Sequence, residues 1–276
     1  MGSPAHPVEG LPIALTIAGS DSGGGAGIQA DLKVFFALGC HGTSAVTALT
    51  AQNTVGVSGV HVVPPDFVVE QIDAVVSDLG VDAAKTGMLA TAEIVRDVAE
   101  AVRAHNISNI VVDPVSISKH GDRLMAEEAL DAYRSDLFPL ASVITPNLHE
   151  AAAFLGREVK TLDEAEAAAH DLAALGPRAV LVKGGHLEDR PDDSIDVLFV
   201  DGDVVHISGP RFDTEDTHGT GCALSAAIAA RLAHGDDLQA AVRYAKDFVA
   251  GAIEHGLRVG KRYGPVNPGW KQNYRD

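Results

Sequence analysis

The sequence predicts an α/β protein in which a mostly parallel sheet is covered by helices on both faces. Short apolar segments typical of buried strands alternate with segments that carry apolar residues at helical spacing. The connections between them are short, and consecutive parallel strands need helical crossovers of this kind. The closely spaced strand segments at 195–200 and 204–207 indicate a hairpin, and therefore an antiparallel edge.

Each predicted element has a local signal. The strands are apolar runs that end in glycine, proline or polar residues, and in chain order they are predicted at 12–18, 44–49, 59–63, 83–85, 109–113, 142–145, 179–183, 195–200 and 204–207. The helices are predicted at 26–38, 64–79, 91–105, 147–155, 163–175, 220–234 and 237–256. We therefore predict an N-terminal arm over 1–11, a single domain over 12–266 and a C-terminal tail over 267–276.

The composition excludes several classes of function. The 276 residues carry a formal net charge of −17, whereas a nucleic-acid surface needs clustered Lys and Arg. Two cysteines, Cys40 and Cys222, are too few for a disulfide framework and suit a reducing compartment. No apolar run reaches membrane-spanning length, and the first residues lack the features of a signal peptide. These observations predict a cytoplasmic protein with no nucleic-acid or membrane partner.

The turn at 219–222, which we call the anion turn, predicts a site for a phosphate. Gly219 and Gly221 lead directly into the helix predicted at 220–234, whose first N–H groups lack carbonyl partners and face one place. Thr220 adds a hydroxyl donor. Cys222 lies in the first helical turn, where the helix dipole is expected to lower its pKa. A glycine-rich cap on a buried helix with a structural cysteine would explain the same pattern.

A second glycine loop at 19–27 follows the first strand. Gly25, Gly27 and Ala30 fit the dinucleotide-binding pattern G-x-G-x-x-A. That fold also needs an acidic residue about twenty positions further on to hold a ribose, and no Asp or Glu lies between Asp31 and Asp66. The chain has no Walker-type phosphate loop either. The NAD reading is therefore rejected, and the anion turn is the predicted phosphate cradle.

Polar residues also follow the later strands, at the edge where sheets of this kind bind ligands. Lys183 ends an apolar strand before two glycines, where a positive charge could meet ATP phosphates, and Asp113 would face the same crevice. Asn147 and Glu150 lie three residues apart at the start of a helix. They could hold Mg²⁺ through its waters, or form a capping box. His149, His186 and His218 show no consistent metal-ligand spacing, so we interpret these histidines as polar loop residues.

Six motifs in combination closely resemble the hydroxymethylpyrimidine/phosphomethylpyrimidine kinases of thiamine biosynthesis. They lie at 18–33, 51–54, 85–89, 145–147, 183–186 and 217–222, and the resemblance runs from about 13 to 266. It implies a ribokinase-like three-layer αβα sandwich with no separate lid domain, and a homodimer. It also implies ATP- and Mg²⁺-dependent phosphorylation of 4-amino-5-hydroxymethyl-2-methylpyrimidine and then of its monophosphate.

The resemblance also implies roles for individual residues. Substrate would be bound by Gly19, Asp21, Ala26, Gln52, Met88 and Val115, with the Gln52 amide reading the ring edge. Mg-ATP would be bound by Asp113, Asn147, Glu150, Lys183 and Thr220, with Glu150 meeting the metal through water. The catalytic set would be Cys222, Lys183, Gly219, Thr220 and Gly221. Cys222 occupies the place where sugar kinases of this fold carry a catalytic Asp. Ser116 departs from the methionine that the family usually shows.

Two alternatives stay open at this point. One is a pyridoxal kinase of the same fold, although those relatives resemble the chain less at 51–53 and at Thr220. The other is a non-catalytic ligand-binding regulator, against which the intact set of Cys222, Lys183 and Glu150 argues. The sequence also leaves open whether a monovalent cation binds near Asp216.

Overall fold

Residues 10–115 and 128–272, which the computed structural model describes, contain one nine-stranded sheet. Its strands are β1 (Ile13–Gly19), β2 (His41–Gln52), β3 (Val57–Val62), β4 (Ala83–Thr86), β5 (Ile110–Val112), β6 (Val143–Ile144), β7 (Ala179–Val182), β8 (Ser194–Val200) and β9 (Asp203–Gly209). Their order across the sheet is β3-β2-β1-β4-β5-β6-β7-β8-β9. Ser116 lies outside the described residues, as do 1–9 of the predicted arm and 273–276 of the predicted tail.

The six central strands are parallel, which confirms the predicted α/β architecture. β2, β1, β4, β5, β6 and β7 pair in parallel, whereas β8 and β9 form the predicted antiparallel hairpin. β3 adds a second antiparallel edge, because β2 continues to Gln52 and the chain then turns back through a short loop. The sequence did not predict this edge. The chain passes from β1 to β2 on one side and later to β4 on the other. A ligand crevice is expected at the carboxyl end of such a switch in strand order.

Helices cover both faces of the sheet. They are α1 (Gly27–Ala37), α2 (Pro65–Asp78), α3 (Ala92–Ala104), α4 (Ala129–Ala132), α5 (Leu148–Leu155), α6 (Leu162–Ala173), α7 (Thr220–Ala233) and α8 (Leu238–Glu254). Apolar residues of α2 to α6 pack on one face, and those of α1, α7 and α8 pack on the other, which gives three layers. α4 continues as a π-helical turn and a 3₁₀ turn to residue 140. No helix of the described residues is long and apolar enough to span a bilayer.

The two-residue period of the strands decides which side chains reach the site. Ala83 of β4, Val111 of β5 and Leu181 of β7 all pack in the layer of α1 and α7. Side chains two positions apart on a strand point to the same face. The residues two positions after these three are Lys85, Asp113 and Lys183. The fold therefore brings three charged side chains under the N-terminus of α7.

Part of the predicted C-terminal tail is packed against the domain. Trp270 lies against the rings of Phe248 and His255, with centroids 6.4 Å and 5.6 Å away. The backbone N–H of Asn267 donates to the Ala252 carbonyl at 2.9 Å. Residues 267–272 thus cover the outer face of α8.

Candidate active site

The glycine loop at 19–27 is organised by one buried carboxylate. Asp21 Oδ1 accepts the N–H of Gly23 at 2.8 Å, and Oδ2 accepts those of Gly25 and Ala26 at 3.0 and 2.9 Å. Oδ2 also lies 2.9 Å from Nε2 of His218. Burial raises the pKa of Asp21, but the hydrogen bonds from His218 and the loop amides outweigh it and hold that pKa below its ordinary value. This aspartate therefore fixes the loop shape as a carboxylate.

His218 joins this loop to the anion turn. Its side chain is buried, and its backbone is held on both sides by Gly264 and Val266. We interpreted this histidine from the sequence as a polar loop residue; the structure instead pairs it with Asp21, 197 positions away. Sequence analysis missed the pairing because nothing local links the two segments.

The anion turn presents backbone amides rather than a hydroxyl. Thr220 Oγ1 donates to the Thr217 carbonyl at 2.7 Å, so the expectation that this hydroxyl is available to an anion does not hold in this structure. The N–H groups of Gly221 and Cys222 find no carbonyl acceptor among the described residues. Gly219 has φ +81°, and a Cβ there would overlap the carbonyl oxygen of Gly25. The two glycine loops thus touch through bare backbone, and the free amides lie at the N-terminus of α7.

Lys183 lies directly beneath the anion turn. Its Nζ is 2.9 Å from Asp113 Oδ1 and 3.8 Å from Glu150 Oε2. A Cβ on Gly221 would stand only 3.3 Å from that Nζ, so the bare glycine leaves room for the ammonium. Burial opposes the charge on Lys183, but Asp113 and Glu150 raise its pKa. The lysine is therefore a stable cation, 16% exposed, at the place where an anion would bind.

Asp113 is the buried partner of that cation. Its carboxylate also accepts hydroxyl hydrogen bonds from Thr145 and Ser225, both at 3.2 Å. Burial raises its pKa, whereas Lys183 and Lys85 lower it, and the net direction is downward. Asp113 is therefore ionised and holds Lys183 in place.

Asn147 and Glu150 form the capping box of α5. The Asn147 side chain accepts the Glu150 N–H at 2.9 Å, and Glu150 Oε2 accepts the Asn147 N–H at 2.8 Å. The structural alternative raised by their spacing is therefore present. Within 10–115 and 128–272, no three His, Cys, Asp or Glu side chains form a group that could hold a metal ion.

The thiol of Cys222 lies between two helix N-termini. It is in the first turn of α7, and the backbone N–H of Gly27, the first residue of α1, acts to lower the pKa of its thiol. Burial raises the pKa of Cys222 to about 11, although the Lys85 ammonium acts in the opposite direction. The prediction of a lowered pKa is wrong because the cost of desolvating a thiolate exceeds the favourable field. Cys40 is a buried core residue.

The residues assigned to the substrate follow the carboxyl ends of neighbouring strands. Gln52 ends β2, its side-chain carbonyl accepts the Thr50 hydroxyl at 3.2 Å, and its backbone N–H donates to Ser22 of the glycine loop at 2.8 Å. The others end or follow β1, precede α1, or follow β4 and β5, and they are Gly19, Asp21, Ala26, Met88 and Val115. A Cβ on Gly19 would lie 2.7 Å from the Met88 methyl, so these two residues touch.

Together the sheet order, the amide-lined turn and the buried lysine beneath it define a phosphotransferase of the ribokinase-like fold. The family model described as phosphomethylpyrimidine kinase matches residues 21–267. The chain therefore belongs to the phosphomethylpyrimidine kinase family.

Relatives and solved structures resemble the chain over nearly its whole length. A hydroxymethylpyrimidine/phosphomethylpyrimidine kinase of Streptomyces coelicolor is 50% identical over 98% of both chains. The thiamine biosynthesis bifunctional protein ThiED of Geobacter sulfurreducens is 48% identical over 92% of this chain and 51% of its own. An ADP complex of Bacillus subtilis pyridoxal kinase has a TM-score of 0.88 at 36% identity, covering 95% of this chain and 99% of that one. A phosphomethylpyrimidine kinase from Clostridium difficile has a TM-score of 0.77 at 40% identity, covering 88% and 99%.

Proposed function

We propose that this chain phosphorylates 4-amino-5-hydroxymethyl-2-methylpyrimidine and then its monophosphate, with ATP as donor, in the formation of thiamine diphosphate. The observation that carries the proposal is the meeting of Lys183 with the bare backbone of Gly221, beside Cys222. A cation, free amides and an acid–base group at one point are what phosphoryl transfer to an alcohol requires.

The residues fit Mg-ATP. The amides of Gly221 and Cys222 and the Lys183 ammonium are suited to the negative oxygens of a transferring phosphoryl group. Bound Mg²⁺ supplies further charge neutralisation, and we propose that Glu150 meets it through water, since magnesium keeps several waters and few carboxylates. The same proposal keeps Asn147 as the residue that orients Glu150. The question whether a monovalent cation binds near Asp216 stays open. The Oδ2 atom of Asp216 lies 3.6 Å from Arg258 Nε.

The two phosphorylations place different demands on the site. The first nucleophile is a neutral alcohol whose proton must pass to a base, and we assign that role to Cys222. The second is a phosphate monoester with a second pKa of about 6, which is largely ionised at neutral pH and has no proton to lose. It needs relief from charge repulsion, which Lys183 and the amides of the anion turn supply.

Cys222→Ala should therefore separate the two steps. We expect kcat/KM for the alcohol to fall about 10²–10⁴-fold, and that for the monophosphate to fall much less. Because the pKa of Cys222 is about 11, the thiolate fraction grows as pH rises. The wild-type rate with the alcohol should then increase from pH 7 to 9, whereas the rate with the monophosphate should stay flat. Cys40→Ala is the matched control. An equal loss on both substrates would remove the thiol from the role of base.

Gln52→Ala should weaken the pyrimidine alone. The ring edge would lose its amide partner, at a cost of about 1–3 kcal/mol in binding free energy, while the affinity for ATP stays within about twofold. Isothermal titration with each ligand measures both effects. Gln71→Ala, which removes an amide that binds the backbone of Val46 elsewhere on β2, controls for general destabilisation. A matching loss of ATP affinity in Gln52→Ala would mean that the pocket is wrongly placed.

We also propose a homodimer. Leu49 of β2 and Val60 and Val62 of β3 are exposed at the antiparallel edge of the sheet. Unpaired edge strands with apolar side chains favour association with another chain.

Pyridoxal is the second candidate substrate. The similarity to the Bacillus subtilis pyridoxal kinase, at 36% identity, favours it. The relative at 50% identity carries the name of the pyrimidine kinase instead, and this ranks the pyrimidine first.

A further inference from the structure

A second buried lysine–aspartate pair lies in the layer of α1 and α7. Lys85 Nζ is 2.8 Å from Asp31 Oδ2, and both side chains are fully buried. The Thr16 hydroxyl donates to the same oxygen at 2.7 Å, while Asp31 Oδ1 has no partner among the residues described. Burying two charges costs several kcal/mol per ion, and apolar residues of similar volume often stabilise a core as well. A contribution to the stability of the core therefore does not by itself explain why this buried pair is present.

The pair lies close enough to the thiol of Cys222 for both charges to act on it. The backbone N–H of Gly27 acts to lower the pKa of Cys222, and Asp31 follows Gly27 by four residues on the same face of α1. Lys85 projects from β4, on which α7 packs, into the same layer as Asp31 of α1. A Cβ on Gly87 would stand only 3.0 Å from its ammonium, so the bare glycine leaves room for the buried charge.

We propose that Lys85 is a positioning residue that makes the thiolate of Cys222 accessible by placing its ammonium charge behind the sulfur. This inference rests on the proposed function of Cys222 as the base for the alcohol. In that step the thiolate takes the proton of the alcohol and becomes a thiol. The electron pair of the O–H bond forms the new O–P bond, and the bond between the γ-phosphorus and ADP breaks.

Four charged groups from four elements act on this sulfur. Lys85 of β4 and Lys183, after β7, favour its negative charge, whereas Asp31 of α1 and Asp113, after β5, oppose it. Each aspartate is also salt-bridged to one of the lysines. Among these groups Lys85 has the largest favourable effect on the pKa of Cys222. Removing its charge should therefore raise the pKa of Cys222 further.

The test follows Cys222 itself rather than turnover. The alkylation rate of Cys222 by iodoacetamide, read by peptide mass spectrometry between pH 7 and 10, reports the thiolate fraction. In Lys85→Met we expect this rate to fall about tenfold at each pH, since an opposite charge nearby lowers a pKa by about one unit or more. The double variant Lys85→Met/Asp31→Asn avoids an unpaired buried carboxylate, and it should show a smaller fall in the same direction because it also removes a negative charge that opposes the thiolate. Lys85→Arg, which keeps the charge, should restore most of the rate.

The chain offers a matched control. Lys246 and Asp196 form another largely buried pair, at 2.8 Å between β8 and α8, and Lys246→Met breaks it without changing any of the four charged groups that act on Cys222. Cys40 serves as internal reference in every sample. An unchanged Cys222 rate in both Lys85 variants, or an equal fall in Lys246→Met, would overturn the role of Lys85. If the rate falls but phosphorylation of the alcohol keeps its wild-type pH profile, Lys85 keeps its role and the proposed base does not.

Discussion

Lys183→Met is expected to lower kcat/KM about 10²–10³-fold on both the pyrimidine alcohol and its monophosphate. The lysine supplies a cation beneath the anion turn, and both steps move negative charge past that point. This separates it from Cys222→Ala, whose effect should be confined to the alcohol. Steady-state kinetics on each substrate measures the difference.

The substitution has a structural consequence that needs its own control. Asp113 is only 1% exposed and would be left without its cation, a loss typically worth about 3–5 kcal/mol. The double variant Lys183→Met/Asp113→Asn removes the unpaired charge, and its amide can still accept from one of the Thr145 and Ser225 hydroxyls and donate to the other. We expect it to recover most of the free energy of unfolding and none of the activity. Recovery of activity to within tenfold of wild type would show that Lys183 acts only by satisfying Asp113.

Gly219→Ala is expected to abolish measurable transfer to either substrate. The new Cβ would overlap the Gly25 carbonyl oxygen, and φ +81° is a conformation that alanine adopts only at a cost of roughly 1–2 kcal/mol. The two glycine loops must then separate, which displaces the amides of Gly221 and Cys222. Loss of ATP binding by titration should accompany the loss of turnover.

Gly235 offers a control for the backbone cost alone. Its φ is +89°, and a Cβ there meets nothing within 4 Å. Gly235→Ala should therefore lose stability by a similar backbone term while keeping near-wild-type kinetics. Comparable loss of activity in both variants would mean that left-handed strain, and not contact between the loops, explains Gly219→Ala.

The sequence predicted what local pattern determines. Apolar runs and helical spacing located the parallel strands and the carboxyl edge that carries the site. The helix α4 was missed because its regular part is only four residues, Ala129–Ala132, before it becomes irregular. The antiparallel pairing of β3 depends on the full length of β2. The end of β2 is exposed, so the hydrophobic pattern of the sequence does not show how far the strand extends.

Features that depend on distant contacts could not be predicted. The pairs Asp21–His218 and Asp31–Lys85 join residues 197 and 54 positions apart. The pKa of Cys222 depends on burial by surrounding elements, so its position at a helix N-terminus gave the wrong direction. The spacing of Asn147 and Glu150 fitted two roles, and only the two hydrogen bonds between them showed that the capping box is formed.

The central claim is that one site transfers phosphoryl groups from ATP to a pyrimidine alcohol and then to its monophosphate. The most direct measurement incubates the wild-type chain with Mg-ATP and, separately, the alcohol, the monophosphate, pyridoxal or no acceptor, and quantifies ADP and phosphorylated product by mass spectrometry. We predict one ADP per phosphoryl group added, pyrimidine diphosphate as the final product, and a kcat/KM for pyridoxal lower by about 10²-fold or more. Phosphorylation of pyridoxal alone, or no product with either pyrimidine, would contradict the claim.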